Sequence, residues 1–165
     1  MSTARAVSLP KTSAGILLFR RTRDIIEVLL GHPGGPFWKK KDAGAWSIPK
    51  GLIAFGEEPL EAAQREFFEE TGHRPRGAFI ALGASKQSGG KTVHVWASDD
   101  DWDPQKLKSN AFQMEWPPHS GEYQDFPELD RASWFAVHDA RDRILKGQLV
   151  FLDRLEDALQ SSTDQ

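Results

Sequence analysis

The sequence predicts an α+β fold, a sandwich built on a mixed sheet. Short apolar, branched segments recur along the chain and are separated by turn-forming residues. Helical patterns are few and do not alternate regularly with those segments, as a purely parallel sheet would require. A length of 165 residues without internal repeat or biased linker suits one domain over residues 1–165, its core spanning about 12–160.

Residues 14–19 and 25–30 read as central strands, joined as a hairpin across the charged run 20–24. Residues 32–45 are rich in Gly, Pro and Lys and read as a long exposed loop, followed by a short strand at 46–48. Residues 59–71 read as a helix, with Pro59 suited to its first turn and Gly72 to a left-handed cap. Further strands are expected at 78–82, 92–97, 111–116 and 132–136. Helical patterns close the chain at 140–145 and 149–159, the second with Leu149, Leu152, Leu155 and Leu159 as its core stripe.

Composition excludes several functions. With 39% apolar residues, including six Trp and ten Phe, the chain can fill a core without staples. It has no cysteine, which rules out thiol catalysis, Cys-ligated zinc, iron–sulfur clusters and disulfides. The net charge of −3, from 21 basic and 24 acidic residues, argues against a charge-driven grip on duplex nucleic acid. The longest apolar runs are too short to cross a bilayer, and residues 1–13 lack the apolar stretch of a secretory signal. A soluble, cytoplasmic protein with no membrane partner is the expectation; oligomeric state is left open.

Chemistry concentrates on the helix at 59–71. Glu66, Glu69 and Glu70 stand at i, i+3 and i+4, on one face across a single turn. Like charges so placed cost an isolated helix about 0.2–0.5 kcal/mol per pair. A divalent cation reverses the sign: clustered hard oxygens suit Mg²⁺ or Mn²⁺, which keeps waters and completes its shell from substrate phosphates. Arg65 precedes Glu69 by four residues and can brace it, while Leu60, Ala63 and Phe67 form an apolar edge for docking. On a generic surface helix the same glutamates would be a solvated face. The wider pattern decides against that: Gly51, five residues, Glu57, seven residues, Arg65-Glu-Phe-Phe-Glu-Glu-Thr-Gly72.

That pattern resembles the signature of the Nudix hydrolase family at all seven fixed positions, Gly51, Glu57, Arg65, Glu66, Glu69, Glu70 and Gly72. A chance match is on the order of one in a million for such a chain. His73 departs from the family, which has a bulky aliphatic residue there. The resemblance implies an α/β/α sandwich, MutT-like and free-standing, that cleaves a nucleoside diphosphate linked to another moiety. It implies Mg²⁺, with Mn²⁺ as an alternative, held by Glu66, Glu69, Glu70 and the Gly51 carbonyl. Arg65 and Glu57 would form the brace. The base would be Glu66 or a later carboxylate, for which Glu115 and Glu122 are the candidates, Glu115 also as an extra metal ligand. A regulatory module that keeps the fold without catalysis is the alternative, and such modules commonly lose box carboxylates; here none is lost.

Around the box, Lys39, Lys40, Lys41 and Lys50 offer cations to a polyphosphate, and Phe37 and Trp38 offer a stacking surface; a solvated loop tip is the plainer reading of the lysine run. Trp116 and Tyr123 are either an opposite wall or loop anchors. Residues 83–92 contain neither the Tyr nor the Pro that marks some subfamilies, and residues 115–120 only loosely match the NADH-type motif. The lead-in Ile48-Pro-Lys-Gly51 resembles enzymes acting on nucleoside triphosphates or dinucleoside polyphosphates, so the expected partner is a small nucleotide or polyphosphate. The aspartates of 99–103 lack a calcium loop's closing Glu and read as a solvated turn, and the five histidines show no ligand spacing.

Overall fold

A computed structural model describes residues 11–163; the N-terminal stretch inspected for a signal lies largely outside them. The strands are β1 (Thr12–Thr22), β2 (Ile25–Pro33), β3 (Lys50–Leu52), β4 (Phe79–Lys86), β5 (Thr92–Asp99), β6 (Ala111–Glu115), β7 (Tyr123–Pro127) and β8 (Leu129–Ala136). The helices are α1 (Pro59–Thr71), α2 (Val137–Arg143) and α3 (Leu149–Thr163). The main sheet runs β4-β5-β1-β2-β8, with β3 also paired to β1. The β1–β5 pair is parallel and the others are antiparallel, so the sheet is mixed.

Why β1 reads as an unbroken apolar run follows from its place in the layers. Ala14, Ile16 and Leu18 face α1 with Leu29, Ala62, Ala63 and Phe67. Leu17 and Phe19 face the other way, with Val28 and Leu30, onto Phe151, Leu152 and Leu155 of α3. A strand covered on both faces has no polar side to alternate with. The result is the α/β/α sandwich. Phe67 is fully buried, so Phe67→Ala should cost about 3–5 kcal/mol of stability in a denaturant titration.

The hairpin turns on Arg23 and Asp24 alone, with φ of 51° and 67°. This is the geometry that lets a two-residue turn follow the strand twist. Other expectations shift. Residues 46–48 make only isolated bridges, Trp46 to Ile144 and Ser47 to Gly31, and the ladder forms one step later at β3. Pro49 lies between; it has no N–H to donate, and its carbonyl accepts from the Ile16 amide. The segment at 111–116 does not join the main sheet but forms a two-stranded ribbon with β7. The helix expected at 140–145 begins at Val137 and ends at Arg143, where Ile144 turns extended and buries against the core.

The loop after β2 is anchored rather than free. His32 is wholly buried, its ring nitrogens facing Asp130 Oδ1 at 2.8 Å and the Lys41 carbonyl at 2.6 Å. The Trp46 indole donates to Asp42 Oδ1 at 2.8 Å. Among the described residues no helix is long and apolar enough to cross a membrane.

Candidate active site

Helix α1 carries the site because its two edges differ. Pro59 starts it, Gly72 ends it in the left-handed region (φ 82°), and the Gly72 amide donates to the Phe68 carbonyl at 2.7 Å. With Ala63 and Phe67 pressed on the sheet, the glutamates project along the edge nearest β3. They line a cleft of about 330 Å³ that contains Lys50, Gly51, Glu66, Glu69, Glu70 and Glu128.

Arg65 organises the cleft's rim. Nε and Nη2 donate to the two oxygens of Glu57 at 2.8 and 3.0 Å, and Nη2 also donates to the Leu52 carbonyl at 3.0 Å. Nη1 donates to Glu66 Oε1 at 2.8 Å and Glu69 Oε2 at 3.1 Å. Those contacts match a guanidinium's full set of N–H donors. Glu57 is pulled down to about 2 by the Arg65 hydrogen bonds, helped by the Ala54 amide. Arg65 in turn is held more firmly protonated, first by Glu57 and then by Glu66.

Glu66 rests directly on Gly51: a Cβ there would stand 1.9 Å from Glu66 Oε2. The box therefore needs glycine at 51 for space. Glu70 is the deepest carboxylate. Burial pushes it up to about 8, with the charges of Glu66 and Glu128 adding to the effect and the Lys50 amide, donating to Oε2 at 3.2 Å, opposing it. Glu128 is raised too, by burial and by Glu66.

Burial, and after it the Glu66 charge, raises both Glu70 and Glu128 in this cleft, and a hard divalent cation would relieve such a donor set. Among the described residues no group of three or more acidic or histidine side chains is placed as it stands to hold a metal ion. Glu66 and Glu69 are turned to Arg65.

The later carboxylates fall differently from expectation. Glu115 ends β6, and its Oε1 accepts from the His119 amide at 2.6 Å, closing the 116–122 loop. Neither it nor Glu122 lines the cleft, whereas Glu128 does. The reason is the ribbon's orientation. Its open end is clipped to α1, Asn110 N–H donating to the Glu69 carbonyl at 2.9 Å and Glu128 N–H to the Asn110 carbonyl at 2.7 Å. Glu115 lies five residues up the strand, about 17 Å away at the usual rise. No spacing in the sequence tied Glu128 to the box.

Lys50 lines the cleft, but Lys39 and Lys41 line a different pocket, and Trp38 packs against the α2–α3 side with Lys41 Nζ 5.1 Å from its ring. Phe37 meets Trp116 edge to face at 5.4 Å, a loop anchor. His73 fills the family's aliphatic slot by stacking on Trp102 at 5.4 Å, with Nε2 2.8 Å from Asp100 Oδ2. The aspartate run is used locally: Asp100 also takes the Arg76 amide, Asp101 pairs with Arg20, and Asp103 accepts from the Gln105 amide.

A mixed-sheet sandwich whose helix turns three glutamates and their arginine brace into an edge cleft has the architecture of the Nudix class. The chain belongs to that family: the model described as NUDIX domain matches residues 9–155. An RNA pyrophosphohydrolase of Francisella philomiragia is 37% identical over 76 residues, 46% of this chain and 39% of the relative. The chain thus spans about two fifths of that curated relative's length. Among solved structures, a C. elegans Ap4A hydrolase in a binary complex superimposes with a TM-score of 0.63 at 20% identity, covering 91% of this chain and 98% of that one. The NUDIX domain of Shewanella oneidensis NrtR, complexed with ADP ribose, has a TM-score of 0.63 at 16% identity over 96% and 94%. These two show the shared fold.

Proposed function

We propose that this chain hydrolyses a phosphoanhydride of a nucleoside diphosphate derivative, with Mg²⁺, or Mn²⁺ in its place, held by Glu66, Glu69, Glu70 and the Gly51 carbonyl. The observation that carries this reading is the seating of Glu66 on Gly51 within one cleft that also holds Glu69, Glu70 and Glu128. Glu128 takes the part first considered for Glu115, as an additional oxygen ligand or the base. The bound cation would polarise a phosphoryl oxygen and acidify a bound water.

The chain's own residues do the rest. Arg65 and Glu57 orient the carboxylates; they are positioning residues. Glu128, held above its ordinary range by burial and by the Glu66 charge, is suited to take a proton. Lys50, next to Gly51 in the cleft, holds the polyphosphate. The relatives named as an RNA pyrophosphohydrolase and an Ap4A hydrolase support a substrate with a polyphosphate group, so nucleoside triphosphates and dinucleoside polyphosphates come first.

The test is a panel with Mg²⁺ or Mn²⁺: nucleoside and deoxynucleoside triphosphates, dinucleoside polyphosphates, triphosphate-ended RNA, nucleotide sugars, ADP-ribose, NADH and CoA. Released mononucleotide and phosphate are measured, and no turnover of any member overturns the reading. Two variants sharpen it. Lys50→Ala should raise KM for polyphosphates more than it lowers kcat; an unchanged KM removes Lys50 from substrate binding. Arg65→Lys, which cannot span Glu57, Glu66 and Glu69 together, should lower kcat/KM about 10–100-fold with little change in melting temperature.

A further inference from the structure

We infer that the chain has a second anion site, separate from the carboxylate cleft, that binds the phosphates of a multiply charged phosphate anion. A pocket of about 440 Å³ opens between the loop after β2, strand β8 and the end of α2, and shares no residue with the cleft. Lys39, Lys40, Lys41, Arg131 and Arg143 line it, against the single carboxylate of Asp42, with Ser133 as a further donor.

It lies on the other side of the sheet from α1. Arg131, Ser133 and Phe135 alternate along β8 with Ala132 and Trp134, which pack on the α1 side. The cleft's glutamates therefore do not face these cations.

The arginines are held in place rather than loose. The Arg131 guanidinium lies 5.2 Å from the Trp46 ring and that of Arg143 5.5 Å from the Phe135 ring. Arg143 Nη1 donates to both oxygens of Asp42 at 2.7 Å, and Asp42 in turn accepts from the Trp46 indole. The lysine loop is tied to the same wall through the contact of His32 with the Lys41 carbonyl.

Asp42 is thus already occupied by Arg143 and Trp46. For Arg131 the nearest carboxylate oxygen is Asp130 Oδ1 at 3.9 Å, and for Lys39 and Lys40 no acidic partner occurs among the described residues. Arginines lining a concave site with their side chains ordered in advance lose little conformational freedom on binding. Fixed guanidinium forks beside mobile ammonium groups match the tetrahedral oxygens of phosphate. The isolated solvated lysine tip read from the sequence has no such geometry.

The experiment uses the full chain with a chelator present, so that no metal binds and the acidic cleft repels anions. Inorganic tripolyphosphate is titrated while the Trp46 indole N–H resonance and the heat of binding are followed. Saturable binding that shifts Trp46, weakens with salt, and falls about tenfold or more in Arg131→Ala/Lys40→Ala is expected. Lys39→Ala/Lys40→Ala, confined to the exposed loop, should weaken it in the same direction. Lys50→Ala should leave it unchanged.

Displacement of tripolyphosphate by a single-stranded oligonucleotide lacking a terminal polyphosphate would assign the site to chain phosphodiesters. Failure of that displacement would assign it to free polyphosphates. Absence of binding, wild-type affinity in both double variants, or loss in Lys50→Ala overturns the site. Because hydrolysis is not measured, failure of the proposed catalytic function leaves this result independent.

Discussion

Glu70→Gln is expected to make the metal-free protein more stable at pH 8 to 9 while lowering kcat/KM by about three orders of magnitude. On the proposed function, the activity loss would follow from removing a cation ligand worth several kcal/mol of transition-state stabilisation, at about 1.4 kcal/mol per tenfold. The stability gain follows from the buried carboxyl. Its value in the fold is about 8, against an ordinary 4.5, because burial and the neighbouring Glu66 and Glu128 charges disfavour ionisation. The unfolded chain therefore loses this proton first as pH rises. Stability that is fully present below about pH 4.5 is given up progressively until about pH 8 and stays lost above it. Gln keeps the acceptor for the Lys50 amide and has no proton to lose, so its stability should be flat over that range where Glu70 contributes a decline.

Adding Mg²⁺ should reverse the order. The wild-type protein gains stability by mass action, and its apparent affinity for the cation rises with pH up to about 8 as Glu70 ionises. The variant should gain little. Melting temperatures against pH, in chelator and in Mg²⁺, check both halves; parallel curves for the two proteins in chelator would show that Glu70 is not the buried acid described.

Gly51→Ala should separate site geometry from folding even more cleanly. The added Cβ would lie 1.9 Å from Glu66 Oε2 and 2.0 Å from its Cδ, so one of them must move. The obstacle is the end of a flexible side chain, and Gly51 is not in the left-handed region, so the backbone can stay. Glu66 swings out, and if it holds the cation as proposed, a displacement of an ångström or more should cost about 100-fold or more in kcat/KM. The melting temperature should change little, while the Mg²⁺-induced rise shrinks. Gly34→Ala is the contrast. There the new Cβ meets the Pro127 carbonyl, a backbone atom, at 1.8 Å. The strain must be taken up by the loop and β7, at about 1–3 kcal/mol of stability. Near-wild-type turnover with Gly51→Ala would mean that Glu66 has another productive position.

Much of the architecture was legible because it is local. β1 and β2 announced themselves by runs of branched and apolar residues, and α1 by its period, its Pro59 start and its Gly72 stop. The strand expected at 46–48 failed because hydrogen-bonding to a distant partner, not composition, decides where a ladder forms, and Pro49 interrupts it. The 111–116 segment was correctly a strand, but its alternation says nothing about which sheet it joins.

The same division runs through the site. The sequence by itself determined that Glu66, Glu69 and Glu70 share a helix edge and that Arg65 stands within reach of Glu69, because i, i+3 and i+4 neighbours are set by the helical repeat alone. Only the tertiary structure decided that Glu66 packs on Gly51, that Glu128 and not Glu115 joins the cleft, and that Lys39 and Lys41 turn to a separate pocket. Those outcomes depend on which end of the β6–β7 ribbon is clipped to α1 and on which face of β8 meets the loop, and strand register joins residues that no local period connects.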